Sequence, residues 1–149
     1  RSHIWYCTDQ QQSFNDFALE LQMTIIQGNQ GGIIFRINED SFTYYSFRMS
    51  IEGAYSLDIS ENQDAPLKSL GNGYSSAIHT GLYQTNTIAM VAEGFTFNLY
   101  VNKHLIATVS DPNSTFSQGH IGFSANADDV NNNFTTVLYS NTKVWIRNS

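Results

Sequence analysis

Apolar and polar residues alternate with a period of two along most of this 149-residue chain. Because successive side chains of a β-strand point to opposite faces, this pattern is typical of half-buried strands. In "DFALELQMTII" (16–26) one row is Phe17, Leu19, Leu21, Met23 and Ile25. The same alternation predicts further strands in 31–38, 44–51, 52–62, 86–93, 95–102, 105–111, 119–126 and 134–146.

Short segments rich in Gly, Asn and Asp separate the predicted strands, as expected for turns. In "VNKHL" (101–105), Asn102 suits a positive-φ position in a tight hairpin. A short helical turn is predicted in "DAPLKSLGNG" (64–73). Nine or more strands at regular spacing predict one all-β domain over 1–149, an antiparallel β-sandwich or jelly roll.

Charge and composition limit the classes of partner that this protein is expected to bind. The formal net charge is −6, with 7 basic and 13 acidic residues, which argues against nucleic-acid binding because phosphates require clustered cations. No apolar run is long enough to predict membrane insertion. The single cysteine, Cys7, excludes an intramolecular disulfide and is expected to be a small buried residue. The many neutral polar residues are common in secreted sheet proteins and in domains that handle sugars.

The segment "GFTFNLYVNKHLIATVSDPNSTFSQGHIGFSAN" (94–126) resembles the concanavalin A-like lectin/glucanase superfamily, in particular its laminin G-like and 3-keto-disaccharide-hydrolase-like branches. The shared pattern is a strand, a hairpin at Asn102, a second strand ending at Asp111, and "GHIGF" (119–123). A related pattern occurs in extracytoplasmic domains of bacterial membrane proteins, some with serine/threonine kinase modules. The resemblance therefore implies an extracellular or extracytoplasmic sensing or adhesion domain, excised from a longer protein with other domains.

The resemblance also implies that a ligand lies across the concave sheet. If the strands pair in chain order, Arg36, Arg48 and Asp58 share its polar face. The two arginines would hold Asp58 and offer planar donors to sugar hydroxyls or a carboxylate, while Tyr44 and Trp5 would stack on a sugar ring. The alternative is a solvent-facing sheet with a surface ion pair of small worth.

Catalysis by two carboxylates is not expected. Laminarinase-like members carry a Glu-x-Asp-x-Glu strand, in which two-residue spacing places all three acids on one face. Here the equivalent positions are Ser56, Asp58 and Ser60, and serine cannot replace a carboxylate nucleophile. Glu61 follows one residue later and would contribute only if a bulge turned it inward.

The acidic turns are candidates for a metal site, since calcium prefers several carboxylate and carbonyl oxygens. Many superfamily members bind a structural calcium, and Asp128 and Asp129 in "NADDVNNN" (126–133) are the candidate ligands. The alternative is an ordinary solvated turn.

The sequence thus predicts a non-catalytic carbohydrate- or glycan-binding sandwich. Two alternatives stay open. One is a sugar-active hydrolase similar to the 3-keto-disaccharide hydrolases, which would require two carboxylates in one groove. The other is a protein-interaction module without a sugar site, such as the sensor domain of a serine/threonine kinase.

Overall fold

A computed structural model describes residues 13–126 and 134–146, which form ten β-strands. None of these residues belongs to a helix that could span a bilayer. The strands are β1 (Phe17–Gln27), β2 (Gln30–Asn38), β3 (Thr43–Ser50), β4 (Ala54–Ser60), β5 (Lys68–Tyr74), β6 (Thr85–Glu93), β7 (Thr96–Val101), β8 (His104–Ser110), β9 (His120–Asn126) and β10 (Thr136–Ile146).

The strands form two five-stranded sheets that pack face to face. Sheet 1 has the order β10-β1-β6-β7-β8, and sheet 2 has the order β5-β4-β3-β2-β9. Every pairing is antiparallel, and β2 to β5 pair in chain order. The predicted antiparallel β-sandwich is therefore confirmed.

The core lies between the sheets and is built by the apolar rows of the sequence. Along β1 the burial alternates strictly, and every residue of its predicted apolar row is buried. Aromatic rings fill the centre: Phe35 stacks on Tyr45 with ring centroids 5.3 Å apart, and Phe97 packs edge-on against Phe35 at 5.1 Å. Burial of such apolar surface is the main stabilising contribution to the sandwich.

Sheet 2 differs from sheet 1 because its outer face is also largely buried. On this face lie the polar residues Ser46, Asp58 and Ser60, all nearly inaccessible to solvent. Polar side chains on a solvated sheet face are usually exposed, so the burial of these three is informative. The outer face of sheet 2 is therefore the candidate binding surface.

The strand β5 corrects the helical turn predicted over residues 64–73. Lys68–Tyr74 pairs with β4 along the edge of sheet 2. The sequence pattern does not predict this strand because its glycines weaken the intrinsic strand preference. A side chain at Gly73 would meet the Tyr55 hydroxyl at 3.0 Å, so glycine fits this close cross-strand contact.

The hairpin between β7 and β8 is confirmed. Asn102 and Lys103 have φ of 50° and 70°, as the two central residues of a type I′ turn require. The Asn102 side chain also accepts a hydrogen bond from the Thr87 backbone N–H (2.9 Å) and donates one to the Ala77 carbonyl (2.8 Å). One turn residue thereby fixes the hairpin to β6 and to the preceding loop.

A β-bulge in β2 overturns the predicted placement of Arg36. The ladder to β3 shifts register after Phe35, and the ladder to β9 shifts after Ile34. Arg36 lies within both irregular segments and has a φ of 50°. The extra residue turns Arg36 into the interior and moves Ile37 to the outer face. The prediction that Arg36 shares a face with Arg48 and Asp58 is therefore wrong.

The bulge also explains the first glycine of "GHIGF". A Cβ on Gly119 would lie 2.3 Å from the Arg36 carbonyl carbon and 2.5 Å from the Ile37 nitrogen. The bulged backbone occupies the volume that any side chain would need. Gly119 also exchanges two backbone hydrogen bonds with Phe14, which attaches the segment before β1 to this end of the sandwich.

Candidate functional site

The outer face of sheet 2 brings Arg48 and Asp58 together. In the β3–β4 ladder Arg48 lies opposite Ser56, and Ser46 lies opposite Asp58, so the ion pair runs diagonally between the strands. The Arg48 Nε atom is 2.7 Å from Asp58 Oδ2. Ser56 donates a hydrogen bond of 2.7 Å from its Oγ to the other carboxylate oxygen.

The two members of this pair differ in access to solvent. The Asp58 side chain is 2% exposed, whereas that of Arg48 is 27% exposed. Among the described residues Asp58 Oδ2 accepts no well-aligned hydrogen bond, so its short contact with Arg48 is ionic in character. Arg48 also donates a hydrogen bond from NH1 to the Gln30 side chain (3.3 Å). Arg48 is therefore the accessible member, and Asp58 is the buried counter-charge that orients it.

A groove of about 370 Å³ opens beside the pair. Arg48 lines it from β3, and Ser56 and Asp58 line it from β4. The edge strand β5 contributes a second polar set, namely Ser69, Asn72 and Tyr74. Asn72 donates a hydrogen bond to Ser69 (2.9 Å), and the Tyr74 side chain is 77% exposed. The groove thus combines a guanidinium, hydroxyls, an amide and an accessible aromatic ring.

Tyr74 lines the groove, whereas Tyr44, to which the sequence assigned the stacking role, does not. Tyr44 lies on the outer face as predicted, but it is 8% exposed and belongs to a small apolar cluster with Ile34, Ile37 and Leu67. Its ring does not line the groove, so the predicted stacking role of Tyr44 is wrong. The sequence missed Tyr74 because the glycine-rich segment before it resembles a turn.

Three predicted site residues fall outside the described residues, namely Trp5, Asp128 and Asp129. Within the part of the chain that the structure describes, no group of three or more metal-ligating side chains comes together. The acidic turn "SDPNS" (110–114) has a structural role, because Asp111 accepts hydrogen bonds from the backbone N–H groups of Asn113 and Thr115. The calcium site at Asp128 and Asp129 stays a prediction.

The carboxylates that a glycosidase would require are distributed over different surfaces. Among the described residues that line the groove, Asp58 is the only carboxylate. Glu61 follows the end of β4 and is exposed, and Glu20 lies on β1 of the opposite sheet, opposite Lys143. Retaining glycosidases hold two carboxyl groups about 5–5.5 Å apart. The described lining of the groove does not provide such a pair.

Arg36 occupies an interior polar cluster at one end of the sandwich. Its NH1 donates to the Phe116 carbonyl (3.0 Å) and its NH2 to the Asn15 carbonyl (2.9 Å), with Asp16 at 3.8 Å. Its guanidinium carbon lies 5.2 Å from the centre of the Phe97 ring. Burial lowers the pKa of Arg36, and the electrostatic interactions with Tyr45 and Asp16 oppose that shift. These contacts fix the loop before β9 and the segment before β1.

Tyr45 and Asp111 complete the interior cluster. The Tyr45 hydroxyl donates to Asp111 Oδ2 (2.6 Å) and accepts from the Phe116 N–H (3.2 Å). Burial, together with the hydrogen bond to Asp111, raises the pKa of Tyr45 to about 12. Burial pushes the pKa of Asp111 upward, but the hydrogen bonds that its carboxylate accepts outweigh this and hold the pKa below its usual value. The cluster stabilises the fold, and Arg36, Tyr45 and Asp111 do not line the groove.

Comparison of the fold with solved structures identifies its class. Carbohydrate-binding module CBM66 from Bacillus subtilis superposes with a TM-score of 0.75 at 21% identity, over 90% of this chain and 77% of that one. Sheep galectin-11, in complex with glycerol, gives 0.60 at 7% identity, over 96% and 98%. A family 7 alginate lyase in complex with substrate gives 0.61 at 10% identity, over 91% and 62%.

The sequence comparisons add no closer assignment. No protein-family model matches the sequence, and no match was found among the curated proteins. At these identities the structural likeness establishes the fold, while function has to be argued from the site. The protein has the concanavalin A-like lectin/glucanase fold, as the resemblance in the sequence predicted.

Proposed function

We propose that this protein binds carbohydrate in the groove beside Arg48 and Asp58. The observation that carries the proposal is the partly exposed Arg48 guanidinium, oriented by a buried carboxylate at the edge of an open groove. A guanidinium fixed in this way offers planar N–H donors that suit sugar hydroxyls. Its orientation is set before the ligand arrives, which lowers the entropic cost of binding.

The second polar set and the aromatic ring support the proposal. Hydroxyl and amide groups of Ser69 and Asn72 can both donate and accept hydrogen bonds, which matches the dual character of sugar hydroxyls. Tyr74 provides an accessible apolar ring face with a polar tip. Among proteins of similar fold, one is a carbohydrate-binding module and one is a galectin, so the same architecture serves as a binding scaffold elsewhere.

The test is a glycan array followed by calorimetry on the strongest hits. We expect Arg48→Ala to weaken binding at least tenfold, because each lost charge-assisted hydrogen bond is worth about 1.5–3 kcal/mol. The matched control is Lys143→Ala, which removes an exposed cation from β10 of the other sheet and is expected to leave binding unchanged.

Two results would overturn the proposal. One is the absence of binding across neutral and acidic saccharides of the array. The other is unchanged affinity in a folded Arg48→Ala variant, with folding checked by its unfolding midpoint. The Arg48→Lys variant serves as a second arm, because it keeps the charge beside Asp58 while it removes the planar donors.

We also propose that the groove acts outside the cytoplasm, as a ligand-recognising or sensor part of a larger protein. The low share of charged residues, 13%, and the sequence resemblance to extracytoplasmic domains support this placement. Fractionation of cells that produce the full-length protein, with protease accessibility of this domain on intact cells, tests it. Protection of the domain until the cells are lysed would contradict it.

A further inference from the structure

The groove contains one charge of each sign, and the two charges lie in contact. Among its described lining residues, Arg48 and Asp58 are the charged side chains, and their nearest charged atoms are 2.7 Å apart. The other polar groups of the lining, on Ser56, Ser69, Asn72 and Tyr74, are neutral hydroxyls and an amide. The groove therefore presents an oriented donor with little net positive charge.

We propose that this groove selects uncharged saccharides over uronates, and that Asp58 is the residue that sets this preference. The inference rests on the carbohydrate-binding function proposed above and specifies the ligand class of the same site. Arg48 is the residue that contacts the ligand. Asp58 acts through Arg48 and is a positioning residue, because its side chain borders the groove but is only 2% exposed.

A uronate and a neutral sugar would gain and lose different interactions at Arg48. A uronate carboxylate that approaches Arg48 would lose hydration and would stand a few ångströms from the Asp58 carboxylate as well. The attraction to one charge is then largely cancelled by repulsion from the other, so the desolvation of the carboxylate is not compensated. The net charge of −6 on the chain adds a further repulsive field.

A neutral sugar avoids this penalty. Its hydroxyl oxygen can accept a hydrogen bond from the exposed part of the Arg48 guanidinium without bringing a second negative charge to the site. Arg48 uses Nε toward Asp58 and NH1 toward Gln30, and within residues 13–126 and 134–146 no hydrogen bond engages NH2. NH2 is therefore the donor available to a ligand, and its direction is fixed by the two occupied nitrogens.

The test uses stereochemically matched ligand pairs. Tetrasaccharides of glucose, galactose and mannose are each compared with the corresponding glucuronate, galacturonate or mannuronate tetramer by calorimetry at low and high salt. We expect the neutral member of any pair that binds to be preferred about tenfold or more. Its affinity is expected to be insensitive to salt, because a neutral ligand has no charge to screen.

The variant Asp58→Asn removes the counter-charge at almost constant shape. Its expected effect is a gain in uronate affinity that weakens with added salt, so that the preference for the neutral member narrows about tenfold or inverts. The control Ser69→Ala removes a neutral lining hydroxyl and is expected to weaken both members equally, leaving the ratio unchanged. A purely structural role of Asp58 would weaken both ligands without changing either the ratio or the salt response.

The outcomes separate the two proposals. Tighter binding of uronates than of neutral sugars by the unaltered protein overturns the selectivity while carbohydrate binding stands. An unchanged ratio in folded Asp58→Asn overturns the role of Asp58. If that variant does not fold, the ratio and salt response of the unaltered protein decide the selectivity. No binding to any pair or array member overturns the carbohydrate function itself.

Discussion

Arg36 and Arg48 lie on neighbouring strands of one sheet, and each has an aspartate nearby, yet their surroundings are opposite in kind. Arg36 is fully buried, its NH1 and NH2 groups donate to two backbone carbonyls, and it lies over the Phe97 ring. Arg48 is 27% exposed and its contacts are to other side chains at the edge of a groove. One arginine is part of the fold, and the other is available to a ligand.

The partners of each arginine distinguish a polar residue that stabilises the sandwich from one that can bind a ligand. Donors satisfied by backbone carbonyls of distant segments hold those segments together, and their loss leaves orphaned carbonyls. A donor group held by side chains keeps its position while part of it stays accessible. The local cause is a single bulge, because Arg36 would have pointed to the outer face if β2 had continued without it.

The largest expected effect comes from making the same substitution at both arginines. Arg36→Lys is expected to lower the free energy of unfolding by about 2–3 kcal/mol, because an ammonium lacks the rigid planar fork that directs two donors to the Phe116 and Asn15 carbonyls. Arg48→Lys is expected to cost less than about 1 kcal/mol, since it retains the charge beside Asp58. Urea unfolding followed by fluorescence measures both. Equal losses would remove the distinction between the two sites.

Tyr45→Phe tests the interior cluster from its other side. The substitution removes the hydroxyl that donates to Asp111 and accepts from Phe116, and leaves the partly buried Phe116 N–H without that partner. We expect a loss of about 1–3 kcal/mol in unfolding free energy. Saccharide affinity of the folded variant is expected to stay unchanged, because Tyr45 does not line the groove. A large change in affinity would show that the cluster and the groove are coupled.

Alkaline pH should weaken the interior cluster in a defined window. The folded-state pKa of Tyr45 is raised from 10.0 to about 12, so its contribution to stability is complete below pH 10 and is lost as the pH rises toward 12. The expected slope is about 1.4 kcal/mol per pH unit for one group. Burial raises the pKa of Tyr139 in the same direction. Tyr45→Phe should therefore reduce the slope without abolishing it, as followed by unfolding at successive pH values.

The smallest expected effect is on binding alone. Tyr74→Ser should leave stability within about 0.5 kcal/mol, because the side chain is 77% exposed. Saccharide affinity should fall about threefold to tenfold, since a lost aromatic contact is worth about 0.5–1.5 kcal/mol. Tyr83→Ser is the matched control, with an equally accessible ring (70% exposed) outside the groove. Equal effects of the two variants would exclude a specific role for Tyr74.

Much of the fold could be predicted from the sequence because alternation is a local property. The rows of β1 and the hairpin at Asn102 depend on residues close in the chain, and both lie where the pattern placed them. The contact of Arg48 with Asp58 also follows from alternation once neighbouring strands pair in chain order. The strand β5 could not be predicted, since pairing with β4 outweighs the weak strand preference of its glycines.

The two-layer architecture and the polar row that carries Arg48 and Asp58 are encoded in the local pattern, because a period of two assigns each residue to one face. The rest of the candidate site depends on tertiary contacts. A bulge moved Arg36 into the interior, packing with Ile34, Ile37 and Leu67 covered Tyr44, and an edge strand supplied Tyr74. Each of these outcomes depends on contacts between segments distant in the chain, which a local pattern does not encode.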